Sequence, residues 1–269
     1  MNFFEQILYW LQGEMNTPTA YGWFHLLCIF LVVLFIYLLY LNRKKYNDKQ
    51  LKLVLFTYGS IALILELLKQ LIWTFNYDPA TKIITWDYEW YAFPFQLCST
   101  PIYVSLICLF LKKGKTRTAL LSYLAYVTIL GSISTILIPD SCFTSDTLVN
   151  IHTMWLHLGS FVVSVYLLMN KEVEVNITNL KNSIKVFLLF ATLAYISNIV
   201  IYNLGILNDE SFNMFYISPY FESSLPVFVD IQKVVPHIVF LLIYIIALSI
   251  GAYIIYFIAK LFSKKRRAN

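Results

Sequence analysis

The chain has 269 residues, 59% of them hydrophobic and 13% charged, with a mean hydropathy of +0.68. A water-soluble domain carries about 25% charged residues, so this balance excludes that class and leaves a polytopic membrane protein. The net charge of +5 would invite nucleic acid, but the basic residues sit between apolar runs, where they set membrane orientation instead.

The first 20 residues, MNFFEQILYWLQGEMNTPTA, are too short and too acidic for a cleaved signal peptide, whose start should be basic. They read as an interfacial amphipathic segment offering Phe3, Phe4, Leu8 and Trp10 to lipid. Seven apolar runs follow, at 21–41, 52–74, 91–111, 118–138, 150–169, 184–203 and 236–262. Each is near the roughly 20 residues that a helix needs to cross a bilayer. The expected architecture is all-α: a seven-helix transmembrane bundle over 21–262, ending in a basic tail at 263–269.

Seventeen of the 20 basic residues fall in alternate loops: 43–52, 112–117, 171–185 and the carboxyl end. Eleven of the 15 acidic residues, among them Asp78, Asp87, Glu89, Asp146 and Glu210, fall in the others. Basic loops stay in the cytoplasm, which predicts an outer amino terminus and a cytoplasmic carboxyl terminus in a cell membrane. Cys28, Cys98, Cys108 and Cys142 show no metal-ligand spacing, and no nucleotide-binding glycine motif is present. No metal or cofactor is expected.

Ionisable groups within a membrane span mark a site or a buried pair. At about 1.5 Å per residue, this topology places His25, Glu66, Lys69, Gln70, Gln96, Cys98, His152, His157, Asn198 and His237 at one level in the outer half. In the third run, Pro94, Cys98, Pro101, Ser105 and Cys108 form one helical stripe. Pro101 has no N–H for the Leu97 carbonyl, so a bend beside Cys98 is expected, leaving that oxygen free. In the fifth run, Thr153, His157, Ser160 and Ser164 form another stripe. His152 lies roughly 140° away from His157 around that helix, so His157 is the better pocket residue.

Several of these residues also have plain structural readings. Glu66 lies one turn from Lys69 and Gln70, and a buried pair fixing helix packing accounts for it as well as catalysis does. A membrane cysteine is usually a small hydrophobe. With His157 as base and Glu66 orienting the ring, Cys98 would instead be a nucleophile for acyl transfer through a thioester, acting on phospholipid esters of the outer leaflet.

Several short stretches carry a family resemblance: His25-Leu26-Leu27, Leu65-Glu66 with Ile72-Trp73, Pro94-Phe95-Gln96-Leu97-Cys98, His157-Leu158-Gly159, and Asn213-Met214-Phe215 with Pro236. In this order and placement the chain resembles the bacterial YwaF-like membrane proteins, themselves similar to the animal transmembrane-protein-164 family. The resemblance implies a seven-helix fold. For the animal branch it also implies a cysteine-dependent acyltransferase that moves acyl chains between phospholipids and lysophospholipids. By position Cys98 would be its nucleophile and His157 its base. Gln96 stands where that family's signature has His, and Leu158 is inserted in its His-Gly pair. Two other functions fit the residues: a transporter or receptor using Glu66, Lys69, His157 and Asn198 for a solute or proton, and a non-catalytic scaffold.

Overall fold

In the computed structural model, residues 1–43, 47–139, 142–170 and 172–268 are described, with the backbone alone for 264–268. Lys44, Lys45, Asp140 and Lys171, which contribute to the loop charges above, lie outside them. A short helix α1 (Phe3–Leu11) opens the chain, closed by a capping box between Asn2 and Glu5. The long apolar helices follow as α2 (Trp23–Leu41) and α3 (Asp48–Thr74). A hairpin, β1 (Phe75–Asp78) and β2 (Ile83–Trp86), then leads through a 3-10 turn (Trp90–Ala92) to α4 (Thr100–Phe110). Next come α5 (Lys115–Tyr126), α6 (Thr128–Leu137), α7 (Thr147–Met169), α8 (Ile177–Asn203), α9 (Phe228–Val234) and α10 (His237–Ala268).

Among the described residues, six helices are long and apolar enough to cross a membrane: α2, α3, α5 with α6 as one unit, α7, α8 and α10. The expected crossing at 91–111 is not a full-length helix. Its helical part is the 11-residue α4, about 16 Å long. Residues 93–99 ahead of it are irregular, because Pro94 and Pro101 remove two donors that a continuous helix would need. This segment nevertheless runs the length of α3 in the opposite sense. Gln70 near the end of α3 donates to Ala92 O at 2.8 Å, and Asp48 at its start pairs with Arg117 at 2.7 Å.

The fold is mostly helical rather than all-α. In the hairpin Phe75 faces Trp86 and Asp78 faces Ile83. Asp78 builds its turn by accepting from Ala80 N at 2.9 Å and Thr81 Oγ1 at 2.7 Å. The β-branched and aromatic Ile-Ile-Thr-Trp run carried that signal.

The core lies among α3, α4, α5, α7 and α8. Small residues let these helices approach closely. A Cβ on Gly159 of α7 would fall 2.9 Å from the Tyr58 ring of α3. Tyr58 also donates to Leu156 O at 3.1 Å, and Trp155 donates back to Tyr58 O at 3.3 Å. Helix α2 is peripheral, burying only His25 and Val32. Gly13, Glu14 and Met15 are tied to the start of α7: Thr147 N donates to Gly13 O at 3.1 Å and Met15 N to Ser145 O at 2.8 Å.

Candidate functional site

Two polar clusters lie toward the end of the bundle that carries the hairpin. The first is built on α3 and α7, which run antiparallel. Glu66 is 2% exposed, and its carboxylate meets Lys69 Nζ at 2.7 Å, His152 Nε2 at 2.8 Å and Gln70 Nε2 at 2.9 Å. Gln70 also accepts from Tyr88 OH at 3.1 Å. Lys69 Nζ stands 5.2 Å from the centre of the Trp73 ring, a further stabilising contact for the buried ammonium. A buried charge needs partners that match it in charge and hydrogen bonds, and this carboxylate has three.

His152, rather than His157, is the imidazole on Glu66. Their five-residue offset does point the two rings to different faces. The Tyr58 contacts set the rotation of α7, and that rotation turns His152 toward α3. His157 faces Gly131 of α6, its Nδ1 4.0 Å from where a Cβ there would lie. It remains within charge–charge range of His152.

The second cluster grips the buried loop after α8. Asn198 donates to Met214 O at 3.0 Å and accepts from Met214 N at 2.7 Å. Gln96 donates to Asn213 O at 2.9 Å and accepts from Phe215 N at 2.8 Å. Asn213 in turn accepts from Ser218 N at 2.8 Å and donates to Glu222 O at 2.9 Å. The carboxamides thus satisfy irregular backbone that is walled off from lipid by protein. They also fix Phe215 and Tyr216 at φ 58°, in the left-handed region. Gln96, Asn198 and Asn213 therefore form a clamp, with their hydrogen bonds spent on backbone.

Cys98 lies on the strand of chain that joins the two clusters. It precedes the first turn of α4 instead of sitting inside a helix, since Ser99 is the cap and Pro101 occupies the first turn. The Leu97 carbonyl is not free: Thr100 Oγ1 donates to it at 2.7 Å. Cys98 as a residue is half-buried and lies within charge–charge range of Lys69, Glu66 and Cys142. His25 and His237 join neither cluster. His25 accepts from Tyr21 N at 3.1 Å and packs on Phe143, whereas His237 stacks on Tyr195.

Above the Glu66 cluster a pocket of about 800 Å³ is lined by Trp10, Glu14, Trp73, Asp87, Glu89 and Asp146, among others. Trp73 is shared between pocket and cluster. Burial, then the nearby Glu210 and Asp87, raises the Glu89 carboxyl above its ordinary range, and burial with Glu14 does the same to Asp146. Among the described residues no group of His, Cys, Asp and Glu is arranged to hold a metal ion.

No curated protein and no solved structure matches this chain. The model of the TMEM164 family matches residues 18–256, a stretch containing both clusters, Cys98 and all six membrane-length helices but for the end of the last. The chain is a multi-pass membrane protein, and it belongs to the TMEM164 family.

Proposed function

We propose that this protein is a phospholipid acyltransferase that works through a thioester on Cys98. The observation that carries the reading is Glu66, buried and bonded to His152, within charge range of the half-buried Cys98 at the head of α4. His152, oriented by Glu66, takes the Cys98 proton, with His157 as the second imidazole behind it. The thiolate attacks an acyl ester carbonyl. The C–O bond breaks, the acyl group stays on sulfur, and the leaving lysophospholipid oxygen takes the proton back from His152. A second lysophospholipid hydroxyl then attacks the thioester, giving its proton to His152 and releasing Cys98 with the new diacyl lipid. The 800 Å³ pocket is of a size to admit a lipid headgroup.

The 91–111 segment is the seventh crossing in this reading, supported by its run alongside α3. The alternating loop charges support an outer amino terminus and a cytoplasmic carboxyl terminus. Richness in Ile, Lys, Asn and Tyr supports an AT-rich bacterial source, hence the YwaF-like branch and a cytoplasmic membrane.

Reconstituted protein supplied with acyl-labelled phospholipid and lysophospholipid should carry hydroxylamine-labile label. Cys98→Ser should abolish label and transfer, and His152→Gln should slow both by about 100-fold or more. Unlabelled protein with turnover unchanged in Cys98→Ser rejects the reading. Solute or proton flux in the same vesicles would then point to transport, and neither activity to a scaffold.

A further inference from the structure

At the opposite end of α3 a groove of about 920 Å³ opens between α3 and α4. The two helices are closest at Gly59, where a Cβ would lie 3.0 Å from Leu106. Beyond that contact Leu53, Phe56, Leu109 and Phe110 line an apolar trough. Leu53 is 61% exposed, Phe56 54% and Phe110 87%, so the trough faces the lipid phase rather than another helix. Its head is polar and positively charged, with Lys49, Gln50 and Lys52 on the rim. Lys49, Lys52, Leu53 and Phe56 follow one another at helical spacing on one face of α3. From Lys49 to Phe56 the face descends about 10 Å, the depth from a headgroup phosphate into the acyl region.

The nearby Asp48 carboxylate is within charge range of Lys52 but makes its ion pairs elsewhere. Asp48 is bonded to Arg117 at 2.7 Å, with Lys113 at 4.0 Å. Neither Lys49 nor Lys52 has an ion pair among the described residues. The buried side-chain Oε1 of Gln50 has no donor among the described residues, which leaves an acceptor for a headgroup hydroxyl. Lys52 is 14 residues from Glu66, about 21 Å along the axis. Whatever fills the groove is therefore separate from any lipid reacting at Cys98.

We propose that the groove is a binding site for an anionic glycerophospholipid, with its phosphate between Lys49 and Lys52 and one acyl chain along Phe56, Leu106 and Leu109. Charge complementarity at the rim selects the anionic headgroup, while the trough selects a chain-bearing ligand over a free phosphate.

The test titrates the detergent-purified full chain with phosphatidylglycerol and with phosphatidylcholine of identical chains, counting bound lipid by native mass spectrometry. Wild type should prefer phosphatidylglycerol, and 0.5 M salt should weaken that preference. K49Q/K52Q should lower phosphatidylglycerol affinity about 20- to 30-fold, at roughly tenfold or less per cation removed, with phosphatidylcholine unchanged. F56S should weaken both lipids. K181Q/K185Q removes two exposed lysines elsewhere, at the basic-loop end of α8, and should change neither. Equal binding of the two lipids by wild type overturns the proposal, as does an equal loss in the two lysine pairs, which would mark general surface charge.

Discussion

Replacing Glu66 by Gln keeps the side chain's volume but removes the one carboxylate that balances Lys69, which is 8% exposed. The ammonium at 2.7 Å and the imidazole at 2.8 Å then face a neutral amide. Leaving a buried charge unpaired costs about 3–5 kcal/mol. For a chain of this size that lowers the melting temperature by on the order of 10 °C. Lys69→Met in the same background removes the stranded charge, so the double variant should recover about 2 kcal/mol of the loss, a coupling within the range seen for contacting residues. Thermal unfolding in detergent, followed by tryptophan fluorescence, measures all four corners of this cycle. A fall of under 3 °C in Glu66→Gln, or a double variant that loses the sum of the singles, would show that the pair does not carry its charge as described.

Gln96→Leu should destabilise by about 1–3 kcal/mol, because the Phe215 N–H loses its acceptor inside the protein; thermal unfolding reads it, and Asn198→Leu should match it through Met214. Gly159→Ala drives a methyl to 2.9 Å from the Tyr58 ring, which its own hydroxyl bond pins in place, and should cost about 1–3 kcal/mol. Asp146, at the foot of α7, has its carboxyl raised above the ordinary 3.8 by burial and Glu14. Between 3.8 and that raised value the folded state binds more protons than the unfolded, so docking of residues 13–15 should weaken as pH rises through the window. Hydrogen exchange at Met15 from pH 3 to 7 should show this slope, and Asp146→Asn should flatten it.

Much of the architecture was legible from residue order alone. Apolar runs of bilayer length and the alternation of loop charge depend only on local composition, so α2, α3, α7, α8 and α10 lie close to where the hydropathy places them. Depth within the bilayer selected Glu66, Lys69 and Gln70, which do meet, and Gln96 and Asn198, which close on one loop together with Asn213, a residue singled out by the family resemblance alone. Other features needed the packed molecule. Two prolines and a glutamine within nine residues announced an oddity, but only the tertiary contacts made it an irregular stretch whose Gln96 grips the buried loop after α8. The choice of histidine is the clearest case. Periodicity shows that His152 and His157 face different ways, but it does not say which way is toward Glu66. That depends on the rotation of α7 about its axis, which Gly159 and the Tyr58 contacts settle by letting α3 approach one face of the helix and not the other.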